Sequence, residues 1–341
     1  MKALVTGGGG FVGKKLVQRL LQNGAEVVCL GRQAQPELKN WGAHVIQGDI
    51  RHLPDVIKAS KGCEVVFHTA ALAGVWGPAE LYESINITGT DNVIEACRQN
   101  ACPRLVFTSS PSVIFDGQSH LMADESKDYP RQWLSDYPRT KAIAEQHVLA
   151  AHQLNGLACC SLRPHLIFGA GDPHLVPRLF DRASKGRLRQ VGNGQNWVDM
   201  VHVQNVVDAH LLADQALQEG KSGGQAYFIT NGEPVQLWVW IRDLLSEFGL
   251  TLPKRSVSEN LAVLVGAGLE GLYKIGRIES EPPMTRFVAR QLATSHTYSI
   301  EKARRELGYT PRVSMLEGTR EVVEGGADWP VKLCWIHESR K

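Results

Sequence analysis

No stretch of this chain is long and apolar enough to cross a bilayer. The longest apolar run, Leu261–Leu269, ends at Glu270, whereas a spanning helix needs about 20 such residues. A basic excess is missing too: 37 basic against 35 acidic side chains leave a formal charge of +2, which offers no concentrated positive surface to a nucleic-acid backbone. Cysteine is present but unpatterned. Cys29, Cys63, Cys97, Cys102, Cys159, Cys160 and Cys334 are odd in number and show no CxxC or Cys/His ligand spacing. They are expected as small buried apolar side chains in a reducing compartment. His165 and His174 lack ligand companions at useful spacing, so no metal is expected. Internal repeats and low-complexity tracts are absent, and Met1-Lys2 leads straight into apolar residues without the pattern of a secretory leader. Together these absences predict a cytoplasmic protein with no transmembrane segment and no nucleic-acid partner.

Glycine is abundant: 33 of 341 residues, four of them consecutive at positions 7–10. Through residue 165, short apolar runs (2–6, 26–30, 43–47, 64–68, 104–109, 157–163) alternate with segments of helical period (11–23, 85–99, 137–151). That rhythm predicts an α/β fold, a Rossmann-type doubly wound parallel sheet with helices on both faces. After Pro164 the texture turns to loops rich in Gly, Pro and Arg, with a returning strand at 226–229 and helices at 236–249 and 300–307. The expected division is a dinucleotide domain of 1–165 with a returning segment at about 196–230. A smaller, mostly C-terminal substrate lobe would take 166–195 and 231–330.

The glycines sit at the first strand-to-helix turn. Thr6-Gly7-Gly8-Gly9-Gly10-Phe11-Val12-Gly13 places glycine at 7, 10 and 13, as needed for a tight turn, close approach of backbone to a pyrophosphate, and close helix–sheet packing. Cofactor choice rests on the end of the second strand, where a carboxylate would select NAD by binding ribose hydroxyls. Here Gly31-Arg32 stands instead. A guanidinium facing the 2′-phosphate is worth roughly 1.5–3 kcal/mol, so NADP is expected. Asp49 after the third strand is a candidate for the adenine amino group.

Tyr137 and Lys141 stand four apart in Tyr137-Pro138-Arg139-Thr140-Lys141, hence on one helix face. A phenol with a pKa near 10 needs a neighbouring cation to work as an acid or base at neutral pH. Ser110, at a strand end in Phe107-Thr108-Ser109-Ser110, is placed to hydrogen-bond a substrate oxygen.

On these residues the chain resembles the extended short-chain dehydrogenases/reductases, across nearly its whole length. The matching stretches are TGGGGFVG at 6–13, GDI at 48–50, HTAA at 68–71, NITGT at 86–90, TSS at 108–110, YPRTK at 137–141 and LRPHLIFGAGD at 162–172. The resemblance implies that Gly7, Gly10, Phe11, Val12, Gly13, Arg32, Asp49, Ala70, Ala71, Tyr137, Lys141 and Pro164 line the cofactor. It implies a catalytic set of Ser110, Tyr137 and Lys141, with Asn86 supporting a proton relay through water.

Ser110-Pro111-Ser112 stands where nucleotide-sugar dehydratases show Thr-Asp-Glu. The segment 191–205, with Trp197, Asp199 and His202, and the ending 302–309 are similar to the 3β-hydroxysteroid and sterol-4-carboxylate dehydrogenase branch. Ala-Gly-Val-Trp-Gly at 73–77 and Arg163-Pro164-His165 are similar to bacterial 2-alkyl-3-oxoalkanoate reductases of long-chain olefin biosynthesis. The implied activity is reversible NADP(H)-dependent reduction of a 3-keto group on a hydrophobic long-chain substrate. Steroid or sterol dehydrogenation and nucleotide-sugar epimerisation are the alternatives. A homodimer through helices near 85–99 and 137–151, and other enzymes of a lipid pathway, are the implied partners.

One further segment carries an open choice. Leu261, Leu264, Val265, Leu269, Leu272 and Tyr273 have helical spacing. They suit either a core helix or a lid over a hydrocarbon pocket resting on a membrane or partner. The basic cluster Arg182, Lys185, Arg187 and Arg189 is expected as a solvated face.

Overall fold

The computed structural model describes residues 1–252 and 255–325; Cys334 and the last residues of the expected lobe lie outside them. Seven parallel strands form the main sheet: β1 (Lys2–Thr6), β2 (Glu26–Gly31), β3 (His44–Gln47), β4 (Val65–His68), β5 (Arg104–Thr108), β6 (Ala158–Pro164) and β7 (Gln225–Ile229). Their order is β7-β6-β5-β4-β1-β2-β3, so the direction of winding reverses beside β1, where open α/β sheets bind ligands.

Side chains on successive strand residues face opposite ways, and both faces are covered. Ala3 and Val5 pack with Leu16, Leu20 and Val206 in one core. Leu4 packs with Val93, Ala96, Phe107 and Val148 in another. Near-continuous apolar strands are what a sheet buried on both sides requires. The expected strand at 226–229 is β7, paired in register with β6 from Gln225↔Cys160 to Ile229↔Pro164. The expected helices are present as Phe11–Gln22, Gly89–Gln99 preceded by a π-helical turn at Glu83–Thr88, Asp136–Ala150, Leu237–Ser246 and Glu301–Leu307.

Beyond β6 lies a third core of Phe168, Phe180, Trp238, Trp240 and Leu244. Beside it is a four-stranded sheet of short strands, ordered Val235–Gln236, Trp197–Val198, His296–Tyr298, His120–Ala123. Six cysteines among the described residues are free and buried, burial pushing Cys29, Cys63 and Cys159 up to about 12. Among the described residues no cluster of His, Cys, Asp and Glu suits a metal, and no helix is long and apolar enough to cross a membrane.

Candidate active site

A cleft of about 520 Å³ opens at the carboxyl ends of β1, β2, β3 and β4. The glycine turn forms its floor, and each glycine there answers to a different constraint. Gly7 has φ +71°, and a Cβ on it would lie 2.8 Å from the Ala70 backbone; only glycine takes that conformation and that approach without cost. A Cβ on Gly13 would lie 2.2 Å from the Gly7 carbonyl oxygen, so the first helix packs directly on the turn. Gly10 precedes that helix and offers no side-chain cap, leaving first-turn N–H donors for an anion at the positive helix end. Thr69 and Ala70 are tied to β1: the Thr69 hydroxyl donates to the Thr6 carbonyl at 2.8 Å, and the Ala70 N–H to the Thr6 hydroxyl at 3.3 Å.

Gly7, Gly10, Arg32, Asp49, Ala70 and Ala71 all line this cleft. Phe11, Val12 and Gly13 do not; their place in the first turn makes any contribution one of backbone. Arg32 is exposed at the rim. Asp49 differs from a free acceptor: Arg51 donates to its carboxylate from Nε and Nη2 at 3.0 and 2.6 Å and holds the carboxyl below its ordinary range. Sequence reasoning missed Arg51, although it stands two residues after Asp49. It also missed Gln35, whose amide lies where side chains on Gly9 and Gly31 would sit, 2.6 and 2.5 Å from those Cβ positions. The Gln35 Oε1 is buried without a partner. A cradle that a Cβ would fill and an orphaned polar atom at its wall fit a polar, phosphate-bearing dinucleotide.

At the end of β5 the catalytic candidates meet. Burial raises the Tyr137 phenol, and the Ser110 side chain facing it lowers it. Ser110 also accepts from the Ser112 N–H at 3.2 Å. Lys141, one turn beyond Tyr137, is 2% exposed, with its ammonium 2.6 Å from the Thr108 carbonyl and 3.9 Å from the Phe107 ring centroid. Burial brings it down from the usual lysine value to about 7, opposed by the charge of Glu145. In this geometry the cation is spent on Thr108, and the rise of the Tyr137 phenol is unrelieved by it.

Asn86 joins the two groups. Its Oδ1 accepts from the Leu72 N–H at 2.7 Å, while its Nδ2 donates to the Leu72 carbonyl at 3.2 Å and the Thr140 hydroxyl at 3.0 Å. Leu72 lines the cleft and Thr140 precedes Lys141, so Asn86 clamps cleft wall to catalytic helix from a π-helical turn, a device frequent at functional sites. Pro164 ends β6, buried and opposite Ile229, and does not line the cleft. Arg163 turns away as well, into a buried pair with Glu145 at 2.6 Å. Burial alone would raise the Glu145 carboxyl; Arg163, Ser161 and Tyr129 together hold it below its ordinary range.

A second cleft of about 350 Å³ adjoins Tyr137 through Ser135 and Asp136 and is walled by Val75, Trp76, Tyr82 and Tyr273. Trp76 spans it, its indole N–H donating to the Ile278 carbonyl at 3.2 Å and its ring meeting Tyr273 edge-on at 6.1 Å. Ser135 Oγ is buried without a partner. The helix Glu259–Ile275, which supplies Tyr273, is not a core helix: Leu261, Leu264, Val265 and Leu272 are exposed, because its packed side is the stripe Ala262, Gly266 and Glu270.

The model of the 3-beta hydroxysteroid dehydrogenase/isomerase family matches residues 4–259. The 2-alkyl-3-oxoalkanoate reductase of Stenotrophomonas maltophilia is 45% identical over 96% of this chain and 100% of its own. That of Shewanella oneidensis is 41% identical over 94% and 85%. Among solved structures, MoeE5 in complex with UDP-glucose and NAD superposes with a TM-score of 0.74 at 27% identity, covering 96% of this chain and 99% of that one. A seven-stranded Rossmann-type sheet agrees with these matches: the chain is an oxidoreductase and belongs to the 3-beta hydroxysteroid dehydrogenase/isomerase family of extended short-chain dehydrogenases/reductases.

Proposed function

We propose that the protein reversibly reduces the 3-keto group of long-chain 2-alkyl-3-oxoalkanoates with NADP(H). The observation that carries this reading is the approach of the Ser110 and Tyr137 side chains at the end of β5, in a chain whose neighbouring strand ends form a glycine-floored cleft. The relatives from Stenotrophomonas and Shewanella, similar over nearly the full chain, favour this substrate class over steroids and nucleotide sugars. Residues 1–165 with 196–230 hold the dinucleotide, and 166–195 with 231–330 hold the substrate. Arg32, on a β2 end that carries no acid, favours NADP. The enzyme works in the cytoplasm, in a pathway to long-chain olefins beside its other enzymes. It forms a homodimer through the helices Gly89–Gln99 and Asp136–Ala150, which lie side by side with His147 Nδ1 2.7 Å from Asp91.

In reduction, Ser110 donates its hydroxyl hydrogen bond to the carbonyl oxygen and polarises the bond. Tyr137 delivers its phenolic proton to the same oxygen. When bound, the nicotinamide supplies the hydride at the 3-carbon and takes it back in the reverse direction. Lys141, brought near neutrality by burial, exchanges its proton close to pH 7. Turned from the Thr108 carbonyl toward Tyr137, its ammonium favours the phenolate and donates to the nicotinamide ribose. Asn86 holds Leu72 and Thr140 and thereby the distance between wall and helix, and a relay through water passes beside it. The first-turn N–H groups of Phe11, Val12 and Gly13 bind the pyrophosphate, and Ala70 and Ala71 flank the rest.

The test is NADPH oxidation with 2-alkyl-3-oxo acids, 3-oxosteroids and nucleotide sugars in parallel. Turnover is expected with the oxo acids. Tyr137→Phe is expected to retain NADPH binding and lose about 10²–10⁴ in turnover; wild-type rates in that variant would overturn the mechanism. Stoichiometric NAD retained through purification would instead identify an epimerase.

A further inference from the structure

The helix Glu259–Ile275 carries its apolar face on the wrong side for a surface bathed in water. It packs through Ala262, Gly266 and Glu270, and a Cβ on Gly266 would lie 2.7 Å from the Thr285 carbonyl carbon. Directly opposite stand Leu261, Leu264, Val265, Leu272 and Ile275, from 46% exposed at Val265 to 85% at Ile275. Their spacing keeps them on one stripe. Gly268 and Gly271 lie among them, facing open space. Between Glu259 and Lys274 the one charged side chain is Glu270, turned inward onto Arg286 at 2.8 Å. About 25 Å of helix therefore exposes apolar side chains with no charge to keep them in solution.

The surroundings have a sign. Residues 175–190 and 255–290 contain ten basic and five acidic side chains, in a chain whose net charge is only +2. These segments adjoin: Gln190–Val191 pairs with Ser256–Val257, and Arg178 is bonded to Glu281. Arg187, Lys274 and Arg277 are exposed and have no ionic partner among the described residues.

We infer that this helix lies in the surface of an anionic lipid bilayer, its stripe in the acyl boundary and the surrounding cations at the headgroups. A second copy is the weaker occupant. A stable protein interface buries about 800 Å² per partner, and one helix stripe about 25 Å by 10 Å falls well short. The same helix sends Tyr273 into the second cleft, so a molecule dissolved in the bilayer meets the cleft wall where it meets the protein.

Sedimentation of the full chain with phosphatidylcholine vesicles, with and without phosphatidylglycerol, tests this without any substrate, so its failure leaves the NADP(H) reading untouched. Wild type is expected to pellet with the anionic vesicles and to be released by salt. The triple variant Leu264→Ser, Leu272→Ser and Ile275→Ser removes only exposed side chains that line neither cleft. It is expected to keep its thermal midpoint and NADPH binding and to lose about a hundredfold in vesicle partitioning. Arg187→Glu is expected to weaken partitioning to the anionic vesicles only. Equal binding by wild type and triple variant overturns the inference, as does no binding by wild type. So does a wild-type dimer that the triple variant abolishes while vesicles bind neither.

Discussion

The two clefts of the candidate site are built from different materials. The larger is made of backbone: strand ends held in register, Gly7 against Ala70 and Gly13 against the Gly7 carbonyl. The smaller is made of side chains from distant segments, Trp76 reaching Ile278 across 202 residues of sequence and Glu270 pinning Arg286. A wall of backbone moves only if the sheet moves. A wall of side chains yields by rotamers, each contact being worth a fraction of the total. Substitutions in the first cleft should therefore act through folding and dinucleotide binding together, and substitutions in the second through substrate alone.

Acid provides the strongest test of that contrast. His68, at the end of β4, accepts from Thr6 through Nδ1 at 2.7 Å and donates through Nε2 to Thr90 at 3.0 Å; the Thr90 proton goes to the Asn86 carbonyl. Burial, with the charge of Lys141, lowers His68 to about 3, and burial lowers His296, in the lobe sheet, to about 4. The unfolded chain takes up these protons near pH 6.5 and the folded chain only below pH 3–4. Stability is thus full above pH 6.5 and is lost as pH falls. The loss is about 5 kcal/mol from His68 and about 3 kcal/mol from His296. Urea midpoints measured from pH 7 to pH 3, where the two titrations separate, should show His68→Gln flattening the dependence more than His296→Gln. The reverse order would place the acid-sensitive part in the lobe.

Gly13→Ala comes next. Its Cβ has nowhere to go but into the turn, which costs roughly 1–3 kcal/mol of stability and displaces the donors that face a pyrophosphate. Thermal unfolding and NADPH fluorescence titration should worsen together. Gly268→Ala, in open space on the Glu259–Ile275 helix, should leave titration unchanged and raise stability slightly.

The same difference in material explains what could be read before any coordinates. Glycine at 7, 10 and 13, the alternation of strand and helix, and Tyr137 with Lys141 on one face are local patterns with a fixed period, and they transfer directly to the fold. The pairing of Lys141 with Thr108, Arg51 closing on Asp49 and Gln35 lying over Gly31 are choices among several partners within reach, made by packing. The lobe sheet is harder still to foresee, since Trp197–Val198 and Val235–Gln236 are two-residue strands with no period to detect. The apolar residues of Glu259–Ile275 were visible, but the side that packs is marked by Ala262 and Gly266, a signal of smallness that a search for large apolar residues passes over.

Arg32→Ala probes a place where the backbone cleft depends on a side chain. Loss of a charge-assisted bond to the 2′-phosphate costs about 1.5–3 kcal/mol. The ratio of kcat/KM for NADPH to that for NADH should then fall by one to two decades, with NADH nearly unaffected and the thermal midpoint unchanged. An unchanged ratio transfers the selectivity to Arg51, which would first have to release Asp49.

Among the variants that remove a contact, Trp76→Ala should have the smallest effect and the cleanest. The residue is partly exposed, so little core is lost, and it touches only the second cleft. It gives up one hydrogen bond to Ile278 and an edge-on ring contact with Tyr273, together worth about 1–2 kcal/mol. Because these contacts hold loop to lobe and touch no reacting atom, the loss should fall on KM for the oxo acid, by about tenfold. kcat at saturation and the Kd for NADPH should stay near wild type. Trp76→Phe retains the ring contact and loses the hydrogen bond, and should fall between the two. A drop in kcat with KM unchanged would mean that the loop carries strain to Tyr137 through Tyr82 and Ser135, joining the two clefts into one mechanical unit.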